Sequence, residues 1–343
     1  MSHPVTFLMA VYNGQAYLEQ ALASLFSQSM PSFDCLVIDD GSSDDSGQIL
    51  SAWAAKEPRL SLQTNPHNIG LTRSLNRGLE VIKTPWVARL DADDIAHPER
   101  LERQLAFLDS HPKVGLLGSS CERIDAMGSV IEPLIPPLDD LAIRWRSLCY
   151  NPFYHASMIF RRSEPDGTPV RYDANLRYSQ DYALWCDLLE VYQGANLAEP
   201  LLQWRSHGES ITQQQQGSQQ SLALGVVQQQ LTKLWPERAW REAEAETMRR
   251  MMLYPPHLVG NGMFAQACAL LTLWQRFKQQ HGGAALGPLE ADLVQRLLNA
   301  LPADQWPPAW QHGLLKQLIF LAPGGLPGYG MRRVWQRLRA EKG

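Results

Sequence analysis

Short apolar runs that each end in a polar turn and then give way to a helical pattern constrain this chain more than any other feature. Val5 to Val11 is apolar and ends at Tyr12-Asn13-Gly14, a turn signal. Tyr17, Leu18, Ala21, Leu22, Leu25 and Phe26 then recur at helical spacing. Phe33 to Ile38 repeats the apolar run and ends in Asp39-Asp40-Gly41. Leu60 to Gln63 leads to Asn65-Pro66-His67-Asn68-Ile69-Gly70, and a helix is predicted from Leu71 to Val81. Trp86 to Leu90 runs into Asp91-Ala92-Asp93-Asp94, and a further helix is predicted from Pro98 to Leu108, with proline in its first turn. Strands alternating with helices predict an α/β fold with a doubly wound, mostly parallel sheet. Such sheets bind ligands beyond the carboxyl ends of their strands. The turns at Asn13, Asp40, Asn68 and Asp93 are therefore expected to lie together.

The acidic turn is the chemically loaded one. Neighbouring carboxylates repel and persist when solvated, protonated or neutralised by a cation. A hard divalent ion that also carries phosphate oxygens suits one or two of them. The plainer reading is an acidic turn ahead of a helix, and Asp-x-Asp alone does not decide between the two.

The rest of the first part is less regular. Val114 to Gly118 reads as a strand, Ile124 to Ile131 as a hairpin around Gly128, and Leu138 to Leu148 as a helix. Asn151 to Phe160 suits another strand, and Tyr182 to Leu189 has helical spacing just after Asp181. Asp181 has a plain reading as a helix N-cap. Glutamine-rich sequence at Gln213 to Gln220 marks a change of composition. It divides the chain into an expected α/β domain, 1–212, and a helical region, 213–343. In the latter, helices are predicted over Leu222–Leu234, Arg238–Met252, Phe264–Phe277, Leu289–Leu301 and Leu314–Phe320. Its tryptophans suit either a core or an exposed aromatic platform.

A length of 343 residues fits a core domain with an extension. A net charge of −4 gives no overall pull toward nucleic acid. No apolar run is long enough to span a bilayer, and the N-terminus lacks a signal-peptide layout. The scattered cysteines Cys35, Cys121, Cys149, Cys186 and Cys268 read as reduced thiols of a cytoplasmic protein.

Taken together, several of these stretches resemble the inverting glycosyltransferases of family 2, which have the type-A nucleotide-sugar fold (GT-A, Rossmann-like). The resemblance rests on Val11-Tyr12-Asn13-Gly14, Val37-Ile38-Asp39-Asp40-Gly41-Ser42-Ser43-Asp44, and Asn68-Ile69-Gly70 with Arg73, Asn76 and Gly78. It continues in Leu90-Asp91-Ala92-Asp93-Asp94 and Gln180-Asp181-Tyr182-Ala183-Leu184-Trp185. It covers about residues 4 to 210 and stops before the helical region. It implies nucleotide-sugar contacts at Ala10, Tyr12, Asn13, Asp40, Asn68, Arg73, Asp91 and Ala92, with Asp40 accepting from the base. It implies a Mn²⁺ or Mg²⁺ ion at Asp93, with His207 beside it. Asp94 orders the loop and Asp181 is the catalytic base. The family has Glu-Asp where this chain has Gln180-Asp181, which keeps the base and drops its acidic neighbour. His155 and Trp185 are expected at the acceptor side or pocket wall.

The implied partners are a nucleoside-diphosphate-sugar donor, foremost a UDP-sugar, and a glycan or lipid-linked saccharide acceptor in surface polysaccharide or lipopolysaccharide assembly. Arg332, Arg333, Arg337, Arg339 and Lys342 face only Glu341 in the last thirteen residues. That pattern fits peripheral contact with an anionic membrane and equally a solvated terminal helix. A sugar nucleotidyltransferase would also use Asp-x-Asp, but Ala10-Val11-Tyr12-Asn13 is not its glycine-rich phosphate loop. A non-catalytic nucleotide-sugar-binding protein would not need Asp93 and Asp181 together.

Overall fold

The computed structural model describes residues 4–208, 216–252, 263–282 and 286–300. The predicted alternation opens the fold. Strand β1 (Val5–Val11) is followed by α1 (Leu18–Phe26), β2 (Asp34–Asp39), α2 (Ser46–Lys56), β3 (Leu60–Thr64), α3 (Leu71–Val81) and β4 (Trp86–Arg89). After the acidic turn come β5 (Ile95–Ala96), α4 (Arg100–Ser110), β6 (Val114–Ile124), β7 (Val130–Leu134) and α5 (Asp140–Ser147). A short 3-10 turn (His155–Ser157), β8 (Ile159–Arg161), α6 (Gln180–Val191) and β9 (Gln193–Arg205) complete this part.

All nine strands form one mixed sheet in the order β3-β2-β1-β4-β8-β6-β9-β5, with β7 paired to β6 off that path. β3, β2, β1 and β4 are mutually parallel. β8 runs antiparallel to both β4 and β6, and β9 lies parallel to β6. The chain winds outward from β1 to β3 and returns to place β4 on the other side of β1. The crevice between β1 and β4 is thus the point where the winding reverses, the place where such sheets take their ligands.

Alternation along the strands buries side chains on both faces. Val5, Phe7, Met9 and Val11 point one way with Cys35 and Val37, under Leu18, Leu22 and Leu25 of α1 and Leu101 and Leu108 of α4. Leu8, Leu36 and Ile38 point the other way, under Leu75 and Leu79 of α3 and Leu184, Leu188 and Leu189 of α6. Helices on both faces are what the continuous apolar runs require.

Several expectations shift here. The predicted strand Asn151–Phe160 is a 3-10 turn ahead of the short β8. The thirteen-residue β9 was not expected at all. The hairpin around Gly128 is present, with a register irregularity at Arg123/Ile124.

The chain forms two compact units, Met1–Ser147 with Asn151–Val226, and Leu148–Tyr150 with Val227–Gly343. The second is helical among its described residues. It contains the end of α7 (Gln216–Leu234), α8 (Glu242–Met252), α9 (Met263–His281) and α10 (Gly287–Ala300). Helices α8, α9 and α10 pack pairwise, burying Met248, Met251, Leu270, Trp274, Phe277, Leu293 and Leu297. Trp240 and Trp274 are core residues. The predicted helix Leu314–Phe320 and the basic C-terminal segment lie outside the described residues. Among the described residues no helix is long and apolar enough to cross a membrane. Four of the cysteines are buried free thiols, and Cys268 is half-buried.

Candidate active site

The turns beyond β1 and β2 are stitched to each other. Asn13 adopts a left-handed φ of 53°, which asparagine tolerates better than most residues. Its Oδ1 accepts from the Ser43 amide at 2.8 Å, and its own amide donates to Ser42 Oγ at 3.1 Å. The Gly14 amide donates to Ser46 Oγ at 2.9 Å and that of Gln15 to Asp44 Oδ2 at 3.1 Å. Tyr12 is 51% exposed beside this seam, and Ala10 is half-buried. A Cβ on Gly14 would lie 3.5 Å from that of Ala92, so the β1 turn and the acidic turn face each other across the crevice.

Asp40 is 2% exposed. Its Oδ1 accepts from Asn65 Nδ2 at 2.7 Å and the Ile69 amide at 2.9 Å, and its Oδ2 from the Gly70 amide at 2.9 Å. A carboxylate offers about four acceptor positions, so one remains, on Oδ2. The residue expected to read the base therefore also clamps the turn between β3 and α3. Asn68 and Arg73, at and just beyond that turn, are exposed.

The acidic turn holds three carboxylates in three different settings. Arg89 is fully buried and binds Asp91 Oδ1, and it also donates to the carbonyls of Leu8 and Leu90. A buried guanidinium must be paired, and this one takes up one oxygen of Asp91. Asp93 meets His207, with Oδ2 and Nε2 3.0 Å apart. Burial, then the neighbouring Asp91, pushes the Asp93 pKa above the usual carboxylate range, and the His207 contact pulls against that rise. Asp94 is 1% exposed, and its Oδ1 accepts the Arg205 amide at 2.9 Å. Burial, with Asp93 and Asp91 beside it, raises Asp94 well above its ordinary value.

Asp181 stands in the first turn of α6, but it is not the cap. The N-cap is Ser179, with a left-handed φ of 59° and no side-chain cap bond. Asp181 Oδ2 instead accepts from Asn151 Nδ2 at 2.7 Å. Between Asp181 and the acidic turn lies a polar wall. Arg89 Nε donates to His155 Nε2 at 3.2 Å, and Tyr172 Oη lies 2.8 Å from the same nitrogen. Burial first, then the Arg89 charge, lowers the His155 pKa to about 4, against the pull of Asp181 and Asp91.

Trp185, expected at the pocket, is fully buried. It packs edge-on against Phe160 at 5.2 Å and His155 at 5.9 Å. One turn beyond Asp181, it shares the helix face that docks on the sheet, so it supports the wall from behind. His155 likewise spends its Nε2 inside the protein. The residues that sequence reasoning passed over are Arg89, Asn151, Tyr172, Tyr17 and Arg205. Arg89 had a readable signal: an arginine inside an otherwise apolar strand needs a buried partner.

Asp93 and His207 could hold a divalent ion. Among the described residues no three His, Cys, Asp or Glu side chains are gathered to do so. A carboxylate and an imidazole at hydrogen-bonding distance, with a second carboxylate half engaged, suit an ion that keeps water and substrate phosphate among its ligands.

A sheet reversing at β1/β4, with acids at the reversal and an aspartate across the crevice, defines the type-A nucleotide-sugar transferases. Glycosyl transferase family 2 matches the chain over residues 6–163. The chain is 32% identical over 208 residues to the amylovoran biosynthesis glycosyltransferase AmsE of Erwinia amylovora, covering 60% of this chain and 77% of that one. It belongs to glycosyl transferase family 2. Its fold is that of S. aureus TarS 1-349, solved in complex with UDP-GlcNAc, with a TM-score of 0.55 and 17% identity over 92% of this chain and 88% of that one. The mannosyltransferase PcManGT from Pyrobaculum calidifontis, in complex with GDP-Man and Mn²⁺, aligns with a TM-score of 0.50 and 16% identity over 94% and 86%.

Proposed function

We propose that this protein transfers one sugar from a nucleoside-diphosphate-sugar to a glycan or lipid-linked glycan acceptor, with inversion at the anomeric carbon. The observation that carries the reading is the 3.0 Å contact of Asp93 with His207 at the β1/β4 crevice. The nucleotide lies along the turns that bear Ala10, Tyr12, Asn13, Asn68 and Arg73, and the last acceptor position of Asp40 takes the base N–H. The free oxygen of Asp91 and the Ala92 backbone face the ribose. Asp93 and His207 would hold Mn²⁺ or Mg²⁺, which when bound would supply Lewis-acid neutralisation of the departing diphosphate. Asp181 takes the acceptor hydroxyl proton as that oxygen forms its bond to the anomeric carbon. The bond from that carbon to the diphosphate oxygen breaks, and its electron pair leaves with the nucleoside diphosphate. Asn151 orients Asp181 through the 2.7 Å bond.

The donors in the two neighbouring structures, UDP-GlcNAc and GDP-Man, support a nucleoside-diphosphate-sugar. The relative in amylovoran biosynthesis supports a role in surface polysaccharide assembly. The test is Asp181→Asn, assayed with UDP-, GDP- and dTDP-sugars. Transfer should fall by at least 10²-fold, the scale of general-base catalysis, with donor affinity retained. Transfer at the wild-type rate would remove Asp181 from the mechanism.

A further inference from the structure

The transfer just described uses no atom of Arg205, yet this side chain is tied to more of the acid loop's surroundings than any other described here. It ends β9 and is 2% exposed. Its amide holds Asp94 Oδ1 at 2.9 Å, and its Nε donates to the Asp93 carbonyl at 2.8 Å. Nη1 donates to the carbonyls of Asp125 at 3.3 Å and Ala126 at 3.1 Å, and Nη2 to Gln20 Oε1 at 2.9 Å. The guanidinium carbon lies over the Tyr17 ring, 4.5 Å from its centroid. That ring in turn meets the His207 ring, with centroids 4.8 Å apart.

We infer that Arg205, with its guanidinium over the Tyr17 ring, is a positioning residue that sets the separation and orientation of the Asp93 carboxylate and the His207 imidazole, and so governs divalent-cation affinity. The inference rests on the proposed cation role of Asp93 and His207. The pair reaches both partners, Arg205 through the acid loop and Tyr17 through the His207 ring. Arg205 holds the acid loop through its side chain and its amide. His207 follows two positions later on the same chain, and its ring is steadied by Tyr17. Lysine cannot substitute: it offers one nitrogen and no plane for stacking, whereas arginine offers a rigid fork. Groups that orient metal ligands without touching the metal typically cost 10- to 100-fold in metal affinity when removed.

The test is calorimetric binding of UDP, GDP and dTDP, each with Mn²⁺ and with EDTA. It uses wild type, Arg205→Lys, Tyr17→Leu, Tyr17→Phe and His207→Ala, with thermal midpoints recorded in parallel. The wild type should bind its preferred nucleotide more tightly with Mn²⁺. Arg205→Lys and Tyr17→Leu should lose about tenfold or more of that Mn²⁺-dependent gain, with affinity in EDTA preserved. Tyr17→Phe, which keeps the ring, should restore it. Should Arg205→Lys fail to fold, the Leu and Phe variants of Tyr17 decide alone. A full gain in Tyr17→Leu, or equal losses with and without Mn²⁺, overturns the positioning role. If His207→Ala loses the gain at the same time, the cation site itself stands. A wild type that binds no nucleotide, or shows no Mn²⁺ gain, or a His207→Ala variant that keeps it, overturns both.

Discussion

His155 is a titratable ring used as a structural part. It has to stay neutral, because Nε2 accepts from Arg89 Nε–H at 3.2 Å and a protonated ring would set two cations against each other. Its pKa is held down to about 4, below the unfolded value of about 6.5. The folded state therefore binds fewer protons than the unfolded chain between those values, and stability rises with pH across that window. The stabilisation is complete above about pH 6.5 and is lost as pH falls toward and through 4, with a swing on the order of 3 kcal/mol. Denaturant unfolding at pH 7 and pH 4 should give a flatter dependence for His155→Gln than for wild type. An identical slope would show that the ring does not carry this linkage. Asp181 is a contrasting case at the same scale: its position in a first turn suggests a cap, but its carboxylate is turned to Asn151.

Among the elements, the close approach of the turn after β2 to the turn after β3 depends on Gly41. Its φ is +71°, and a Cβ there would lie 2.7 Å from the His67 carbonyl carbon. Backbone cannot yield as a side-chain tip can, so Gly41→Ala combines left-handed strain of roughly 1–2 kcal/mol with a steric clash. It should lower stability by about 2 kcal/mol or more and weaken nucleotide binding, both measurable by chemical denaturation and calorimetry. The elements also differ in how far the sequence disclosed them. Helix α3 has the bounds its apolar spacing predicts, Leu71–Val81, because a one-sided stripe over three turns admits no other reading. Strand β9 was hidden. It is exposed over residues 198–200 in mid-strand, contains Gly194 and Pro200, and pairs with β6 through shifted registers. Period-two alternation is broken wherever the register shifts, and no local signal replaces it. The cost of missing β9 was Arg205. Its neighbour His207 was legible only through a motif, and the full burial of Trp185 was not legible, because aromatic character does not tell a lining from a core.

For the whole molecule, the expected response to ligand is a shift in thermal midpoint. A nucleoside diphosphate with Mn²⁺ at 100 times its dissociation constant adds about 2.7 kcal/mol of stability, a rise of several degrees for a chain of this size. Scanning fluorimetry with each nucleotide, with Mn²⁺ or EDTA, should show the rise with metal and a smaller one without it. Equal shifts in both would place the cation outside the binding equilibrium. The contacts that brace the acid loop span 111 and 112 positions of sequence, since Arg205 arrives on the strand that slots between β6 and β5. Synthesis proceeds from the N-terminus, so a ribosome has long since delivered Asp93 when Arg205 emerges. The bracing of the acidic turn by Arg205 can therefore close only after β9 has been made, long after the turn itself.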